Sequence, residues 1–284
     1  MKTLVTGGLG FVGSNLVDIL VSQGDEVYVI DNLSSDSSSL DYKNINVKYF
    51  IEDVFNILDS ELINHKFDRI FHLAAEARIQ PSFERPLDYL KSNIYATGQL
   101  CEFARITSCK SLVYATTSSK NHGTPYLTPY TYSKVAGEGL IKLYAECFDM
   151  NTSMATFYNV YGSREPQSGE WATVVAKFGR QYENKDPLTI VGDGEQTRDF
   201  THVEDICLGL ISISLGVWKG DNFDLGRGEP ISIVEMAKMW TDNIEFVPLR
   251  KNEGLHTQSD FETTFNKISW RAKHNLKDYI DSKK

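Results

Sequence analysis

Cysteine is scarce in this sequence, and long apolar runs are missing. The four cysteines among its 284 residues, Cys101, Cys109, Cys147 and Cys207, include no C-x-x-C pair. This spacing argues against a zinc site or a disulfide framework and is typical of reduced thiols. No apolar segment approaches the ~20 residues that a membrane span needs, and the first residues read as a core strand rather than a signal peptide. We therefore expect a cytoplasmic protein with no membrane partner.

Positive charge is also in short supply. Lys and Arg total 29 against 38 Asp and Glu, which gives a net charge of −9, while 41% hydrophobic residues supply an ample core. Neither nucleic acid nor an anionic membrane is attracted to a net-acidic surface, so we expect neither as a main partner. A local basic pocket for an anionic small molecule is compatible with this balance. We predict no metal site.

A glycine-rich turn begins the sequence. The segment MKTLVTGGLGFVG carries Gly7, Gly10 and Gly13 at three-residue spacing, between a short apolar strand and an amphipathic helix. A helix N-terminus offers N–H groups and partial positive charge to phosphates, and glycine lets the backbone approach them closely. The turn therefore predicts a diphosphate site, although its G-x-x-G-x-x-G spacing differs from the G-x-G-x-x-G of common dehydrogenases.

Strand and helix signals alternate through the first 160 residues. We predict strands at 2–6, 26–30, 47–51, 69–73, 111–115 and 152–158, and helices after Gly13 and at 54–64, 87–106, 130–148, 171–183, 203–215 and 233–240. The alternation predicts an α/β fold, a Rossmann-type doubly wound parallel sheet with a smaller, discontinuous C-terminal substrate lobe. We assign 1–160 to the dinucleotide-binding domain, with 196–220 returning to it, and 161–195 and 221–284 to the lobe.

Two acidic residues follow strands of this sheet. Asp31 ends the second strand, 18 residues past Gly13, which suits a carboxylate that accepts hydrogen bonds from an adenosine ribose. A carboxylate there repels a 2′-phosphate, so NAD is favoured over NADP. Asp53, after the third strand, is placed to reach the adenine amino group.

A Tyr-x-x-x-Lys pair opens the helix predicted at 130–148. Tyr130 and Lys134 are four residues apart and therefore share one helix face. Tyrosine has a pKa of about 10 and is a poor base at neutral pH, but a neighbouring ammonium stabilises its phenolate and lowers that pKa. The pair predicts a base that takes a proton from a sugar hydroxyl as hydride leaves the same carbon.

Seven motifs then occur in order along the chain. They are residues 6–13 (TGGLGFVG), Asp31-Asn32, 72–75 (HLAA), the Thr/Ser cluster at 116–119, Tyr130 with Lys134, 157–162 (FYNVYG) and 192–200 (GDGEQTRDF). As a set they resemble the NAD-dependent nucleotide-sugar epimerase/dehydratase branch of the extended short-chain dehydrogenases/reductases, and in particular enzymes of the UDP-glucose 4-epimerase type. The resemblance covers roughly residues 1–260.

The resemblance implies a tightly held NAD that takes a hydride from a nucleotide-diphosphate sugar and returns it. It implies Tyr130 as the base and Lys134 as its electrostatic partner. It also implies Thr117 as the hydroxyl that bridges Tyr130 and the substrate, with Ser118 as the alternative assignment. The predicted cofactor contacts are Gly7, Gly10, Phe11, Val12, Gly13, Asp31, Asn32, Asp53, Val54, Leu73, Ala74, Ala75, Asn93, Thr116, Tyr130, Lys134 and Phe157. The predicted substrate contacts are Glu76, Thr117, Ser118, Tyr130, Asn159, Arg198 and Arg250.

The residues after Thr117 bear on the reaction. Dehydratases of the family carry an Asp-Glu pair there and decarboxylating relatives a Glu, whereas this chain has Ser118-Ser119-Lys120. The cysteine that 3,5-epimerases need has no counterpart between Cys109 and Cys147. We therefore expect 4-epimerisation of a UDP-hexose. The alternatives are a dehydratase or 3,5-epimerase relying on Lys120, His122 or Glu76, and a redox-inactive module that binds NAD or a nucleotide-sugar.

Two pairs of residues near the predicted site allow two interpretations each. Residues 120–123 (KNHG) replace the family's Val-Tyr-Gly, and Lys120 and His122 are either solvated or near the sugar. Glu76 and Arg78 end a strand and either pair with each other or touch the sugar. By resemblance, the helices at 87–106 and 130–148 pair between subunits of a homodimer, to which Ile94 and Leu100 contribute.

Overall fold

Alternating apolar segments form a main parallel sheet, accompanied by three two-stranded sheets among the described residues. The computed structural model describes residues 1–35, 38–169, 172–248 and 256–284. Its strands are β1 (Lys2–Thr6), β2 (Glu26–Ile30), β3 (Lys48–Phe50), β4 (Arg69–His72), β5 (Leu112–Thr117), β6 (Thr152–Phe157), β7 (Asn159–Tyr161), β8 (Leu188–Val191), β9 (Thr197–Arg198), β10 (Phe200–His202), β11 (Lys219–Leu225), β12 (Ile231–Ser232) and β13 (Ile244–Val247). Within those ranges seven strands make the main sheet, in the order β11-β6-β5-β4-β1-β2-β3.

The strand order places a binding crevice. Every neighbouring pair in the main sheet is parallel. The order runs outward in both directions from the β1–β4 pair, so β1 and β4 flank the point where the connections switch faces. Ligands of doubly wound sheets bind at the carboxyl ends of the strands at this switch point. The Rossmann-type fold is confirmed.

Helices cover both faces of the sheet. They are α1 (Phe11–Ser22), α2 (Ile79–Glu84), α3 (Pro86–Leu90), α4 (Ala96–Ile106), α5 (Pro129–Phe148), α6 (Val174–Glu183), α7 (Val203–Ser214), α8 (Ile233–Trp240), α9 (Phe261–Ile268) and α10 (Leu276–Asp281). A π-helical segment, Lys91–Tyr95, joins α3 to α4, so the long helix predicted at 87–106 is present with an altered winding. None of the described helices is long and apolar enough to cross a membrane.

Each face has its own core. On one face, α1 and α7 pack through Leu16 and Ile206 against Val5 and Val113. On the other, α4 and α5 pack through Leu100 and Ile141 against Leu4. Leu100 is fully buried in this core, so it is not available to a subunit interface as predicted.

The helix predicted at 54–64 is wrong. That stretch forms two short 3₁₀ segments, Val54–Asp59 and Glu61–Asn64. Asp53 accepts from the N–H of Phe55, and Ser60 accepts from the N–H of Leu62, so each side chain starts a new turn. Such local side-chain bonds compete with a continuous α-helix.

A smaller lobe has a separate core. Helices α6, α8 and α10 enclose it with β8, through Phe178, Met236, Ile280 and Ile190. The main-sheet layer extends beyond residue 220, where the predicted return segment ends, because β11 pairs with β6 as far as Leu225. Trp270 and Ala272 also pack in the main-sheet core.

Candidate active site

The glycine turn lies at the carboxyl end of β1. Gly7 has φ +70°, and a Cβ there would approach Ala74 N to 2.7 Å. A Cβ on Gly13 would lie 2.0 Å from the carbonyl oxygen of Gly7, so the turn closes tightly only without side chains. No described side chain caps α1 at Gly10, which leaves its first N–H groups for a ligand.

Asp31 holds this turn in place. Its Oδ2 accepts from Leu9 N at 2.9 Å and its Oδ1 from Leu33 N at 2.8 Å. Burial raises the pKa of the Asp31 carboxyl, and those backbone N–H bonds oppose the rise. Beside it, the Asn32 amide donates to Asp53 Oδ2 at 3.2 Å. The two acidic residues predicted for the adenosine end are therefore brought together by β2 and β3.

A cavity of about 610 Å³ runs from the turn to the smaller lobe. This volume lies within the usual range for ligand pockets. Nearly all the predicted site residues line it: Gly7, Gly10, Phe11, Val12, Gly13, Asp31, Asn32, Asp53, Val54, Leu73, Ala74, Ala75, Thr116, Thr117, Ser118, Tyr130, Lys134, Phe157, Asn159 and Arg198. Arg250 lies outside the described residues.

Two predicted site residues do not line the cavity. Asn93 is buried, and its amide nitrogen donates to Glu76 O at 2.8 Å and to Ser133 Oγ at 2.9 Å. Its Oδ1 accepts from Glu76 N at 2.9 Å. Asn93 thus holds the loop after β4 to α5, where a direct cofactor contact was predicted. Glu76 is absent from the lining, and its buried Oε2 has no hydrogen-bond partner among the described residues.

Helix α5 presents Tyr130 and Lys134 to the cavity. Thr128 caps the helix by accepting from Thr131 N at 3.0 Å, and Pro129 occupies its first turn. The pKa of Tyr130 lies above its ordinary value because the side chain is buried. A hydrogen bond with Thr117 and the charge of Arg78 oppose this rise. Of the two candidate hydroxyls, Thr117 is the one with a hydrogen bond to the Tyr130 phenol, and its role as the bridging hydroxyl stays a prediction.

Two opposing effects set the pKa of Lys134. Burial lowers the pKa of Lys134 to about 7, and the nearby charge of Glu138 opposes that fall. The Lys134 ammonium also lies 4.2 Å from the ring centre of Tyr114, a cation–π contact.

Glu138 does not line the cavity but contacts the lining residue Thr116, and the sequence did not predict it. Its Oε1 accepts from Thr116 Oγ1 at 2.5 Å and from Lys120 Nζ at 2.7 Å. Lys120 is thus paired with Glu138 instead of being solvated or directed at the sugar. The available signal was spacing, because Glu138 follows Lys134 by four residues on the helix face that carries Tyr130.

One histidine-rich group bears on the expectation of no metal. Ligand atoms of His202, Glu204 and His274 lie within 4.8 Å of one another. His202 Nδ1 already accepts from Glu204 N in capping α7, and His274 Nδ1 lies 3.0 Å from Asp205 Oδ1. Helix capping and the contact between His274 and Asp205 account for this arrangement.

The family model described as "NAD dependent epimerase/dehydratase family" matches residues 3–224. The chain belongs to this family. It is 31% identical to the UDP-glucose 4-epimerase of Mycolicibacterium smegmatis, over 95% of this chain and 93% of that protein. It is 30% identical to a putative UDP-glucose 4-epimerase of Methanocaldococcus jannaschii, over 86% of this chain and 82% of that protein.

Solved structures agree with this membership. UDP-glucose 4-epimerase of Thermotoga maritima, solved with UDP-glucose, matches with a TM-score of 0.92 and 26% identity, covering 99% of this chain and 96% of that one. The family model and the solved structure therefore agree on the family and the fold of this chain.

Proposed function

We propose that this chain is an NAD-dependent 4-epimerase of a UDP-hexose. The observation that carries the proposal is the charge pattern of the cavity next to Thr117. Among the described lining residues the only acids are Asp31 and Asp53, at the ends of β2 and β3, and none lies beside Thr117 and Tyr130. A site with one tyrosine base and no second carboxylate suits epimerisation better than elimination of water.

The proton chemistry follows from three side chains. We propose that Tyr130 takes the proton from the sugar O4, helped by its bond with Thr117, and returns it after the sugar has turned. Lys134 contributes positive charge that favours the phenolate. NAD bound at the glycine turn would supply the hydride acceptor for C4, and Asp31 would hold its adenosine ribose. The tight turn and the uncapped α1 fit its diphosphate.

The substrate would extend from Tyr130 into the smaller lobe. Asn159 and Arg198 line that part of the cavity, and an arginine fork suits a diphosphate. We propose the same role for Arg250. The similarity to UDP-glucose 4-epimerases supports uridine as the nucleotide. We also propose the division into an NAD-binding domain and a nucleotide-sugar lobe, with the main-sheet layer extended to Leu225.

The alternatives have less support. Dehydration or 3,5-epimerisation would rely on Lys120, His122 or Glu76. Lys120 is paired with Glu138, and of the three only His122 is among the described residues that line the cavity. A module that only binds nucleotide-sugar has no use for the Tyr130 base.

Incubation with UDP-, GDP-, CDP- and dTDP-sugars without added NAD tests the proposal, with products identified by NMR and mass spectrometry. We expect a C4 epimer of unchanged mass from a UDP-hexose. Tyr130→Phe should reduce kcat by at least ~100-fold, the scale of losing an acid/base group, while the protein retains NAD. Loss of water from the sugar would instead identify a dehydratase. Near-normal turnover by Tyr130→Phe would refute the assigned base.

We further propose a cytoplasmic homodimer. All four cysteines are unpaired, as in a reducing compartment. Apolar side chains on α3, the π segment and α5 are exposed, with Leu87 at 75%, Tyr95 at 56% and Phe148 at 49%, and Ile94 lines a shallow apolar hollow beside Tyr95. A second copy covering this layer would bury them, which sedimentation equilibrium tests.

A further inference from the structure

Arg78 is held in an unusual backbone conformation at the edge of the active site. It follows β4 and precedes α2, with φ +82°, in the left-handed region that few non-glycine residues adopt. Side chains from outside the loop hold the backbone of the two residues before Arg78. Asn93 holds the backbone of Glu76 on both sides, and Tyr89 Oη donates to Ala77 O at 2.7 Å. Strained residues held by their surroundings are concentrated at functional sites.

The side chain of Arg78 lies in the cavity beside the proposed base. Arg78 lines the cavity together with Tyr130, and its charge acts on the Tyr130 phenol. Burial lowers the pKa of the guanidinium, and the nearby Tyr130, Tyr89 and Glu165 oppose that change. Arginine stays charged even so. A positive charge therefore lines the cavity within electrostatic reach of the Tyr130 phenol.

Arg78 lies in a different part of the structure from Arg198, which we propose binds the diphosphate. Arg198 and Lys177, the other described cations of the cavity apart from Lys134, come from β9 and α6 of the smaller lobe. Arg78 comes from the loop after β4, the central strand of the main sheet, and its charge acts on Tyr130. A neutral hexose needs no cation there beyond Lys134, because its reacting hydroxyl is served by Tyr130 and Thr117.

We propose that Arg78 binds a carboxylate carried by the sugar itself, so that the substrate is a nucleotide-linked hexuronic acid. The inference rests on the proposed 4-epimerase function. In such a sugar the carboxyl carbon is attached to C5, the neighbour of the reacting C4, so a group beside Tyr130 is within reach of it. The planar guanidinium can hold both carboxylate oxygens at once.

Comparison of UDP-glucuronate with UDP-glucose tests this inference. The purified enzyme should have a higher kcat/KM for UDP-glucuronate. Arg78→Gly removes the guanidinium and also relieves the positive φ, so the variant is expected to fold. Its kcat/KM should fall ~10- to 100-fold for UDP-glucuronate, the range for losing a charge-assisted pair. The fall for UDP-glucose should be at least about threefold smaller, because only the effect of Arg78 on the Tyr130 phenol is lost there. Arg78→Lys should retain part of the preference.

Arg85→Gln is the matched control, since it removes the same charge from an exposed residue of the same region and should alter neither substrate. An equal loss for both substrates in Arg78→Gly would overturn the inference, because it would mean that Arg78 acts only on the Tyr130 phenolate. Turnover of UDP-glucose with none of UDP-glucuronate would overturn it and leave the 4-epimerase proposal standing. Turnover of no UDP-sugar would overturn both.

Discussion

At the scale of single residues, the proposed chemistry depends on one face of α5. Tyr130, Lys134 and Glu138 follow one another at intervals of four residues, so a base, a cation and an anion are stacked along the helix. The pKa of about 7 for Lys134 means that its charge is lost near neutral pH in the free protein. Under the proposed mechanism, small changes in its surroundings would therefore change how well Lys134 supports a Tyr130 phenolate.

Glu138→Gln should make activity more sensitive to alkaline pH. The variant keeps an oxygen for Thr116 and Lys120 but removes the charge that raises the pKa of Lys134. The pKa of Lys134 should then fall further below its ordinary 10.5, so Lys134 loses its charge at lower pH than in the native protein. We expect the alkaline decline of kcat/KM to begin about one pH unit lower. A pH–rate profile from 5.5 to 9.5 measures it.

The profile reports the coupled Tyr130–Lys134 pair rather than either residue alone. Glu146→Gln is the control, because it removes a charge from an exposed position of the same helix. An unchanged profile in Glu138→Gln would contradict an electrostatic role for Glu138.

Residue spacing within one element was readable from the sequence, and pairing between distant segments was not. The four-residue interval of Tyr130 and Lys134 is fixed by helix geometry, so the pair could be predicted. Lys120 meets Glu138 and also approaches Asn222, 102 residues further along the chain. That neighbourhood depends on β11 joining the main sheet, which alternation in the first 160 residues does not indicate.

At the scale of elements, strong periodicity with clear end signals predicted boundaries well. Helix α8 spans the predicted 233–240, with apolar residues facing one core and a capping box between Ser232 and Glu235. The stretch 54–64 has similar composition but contains Ser60, whose side chain caps a new turn. Composition alone does not distinguish a capping serine from one inside a helix.

Gly13→Ala tests the glycine turn as a unit. The new methyl group would meet the Gly7 carbonyl oxygen at 2.0 Å and Gly8 Cα at 2.8 Å, both backbone atoms. The turn must open, so we expect loss of co-purifying NAD, measured by absorbance after acid release, and an unfolding free energy lower by about 2 kcal/mol. Gly139→Ala is the control, because nothing lies within 4 Å of its position on α5. It should be neutral or stabilising, and retention of NAD by Gly13→Ala would contradict the model of the turn.

At the scale of the whole molecule, a buried acid joins segments that lie far apart in the sequence. Asp199, next to the cavity residue Arg198, is fully buried. Its Oδ1 accepts from Arg227 N at 2.9 Å, and its Oδ2 accepts from Gly228 N at 2.9 Å and from Ser259 Oγ at 2.6 Å. Three segments far apart in sequence therefore meet at one carboxylate, and the position of Arg198 depends on all of them.

Asp199→Asn should weaken both the fold and substrate binding. Asparagine replaces one of the two carboxylate oxygens with an NH₂ group, which cannot accept a hydrogen bond. At least one buried N–H or O–H donor would therefore lose its acceptor. We expect the free energy of unfolding in urea to fall by about 3 kcal/mol. KM for the nucleotide-sugar should rise more than kcat falls, because Arg198 shifts while Tyr130 stays on its helix. Asp242→Asn, at an exposed position of the lobe, should change neither. If kcat fell with KM unchanged, Asp199 would act on the reacting end of the cavity and not through Arg198.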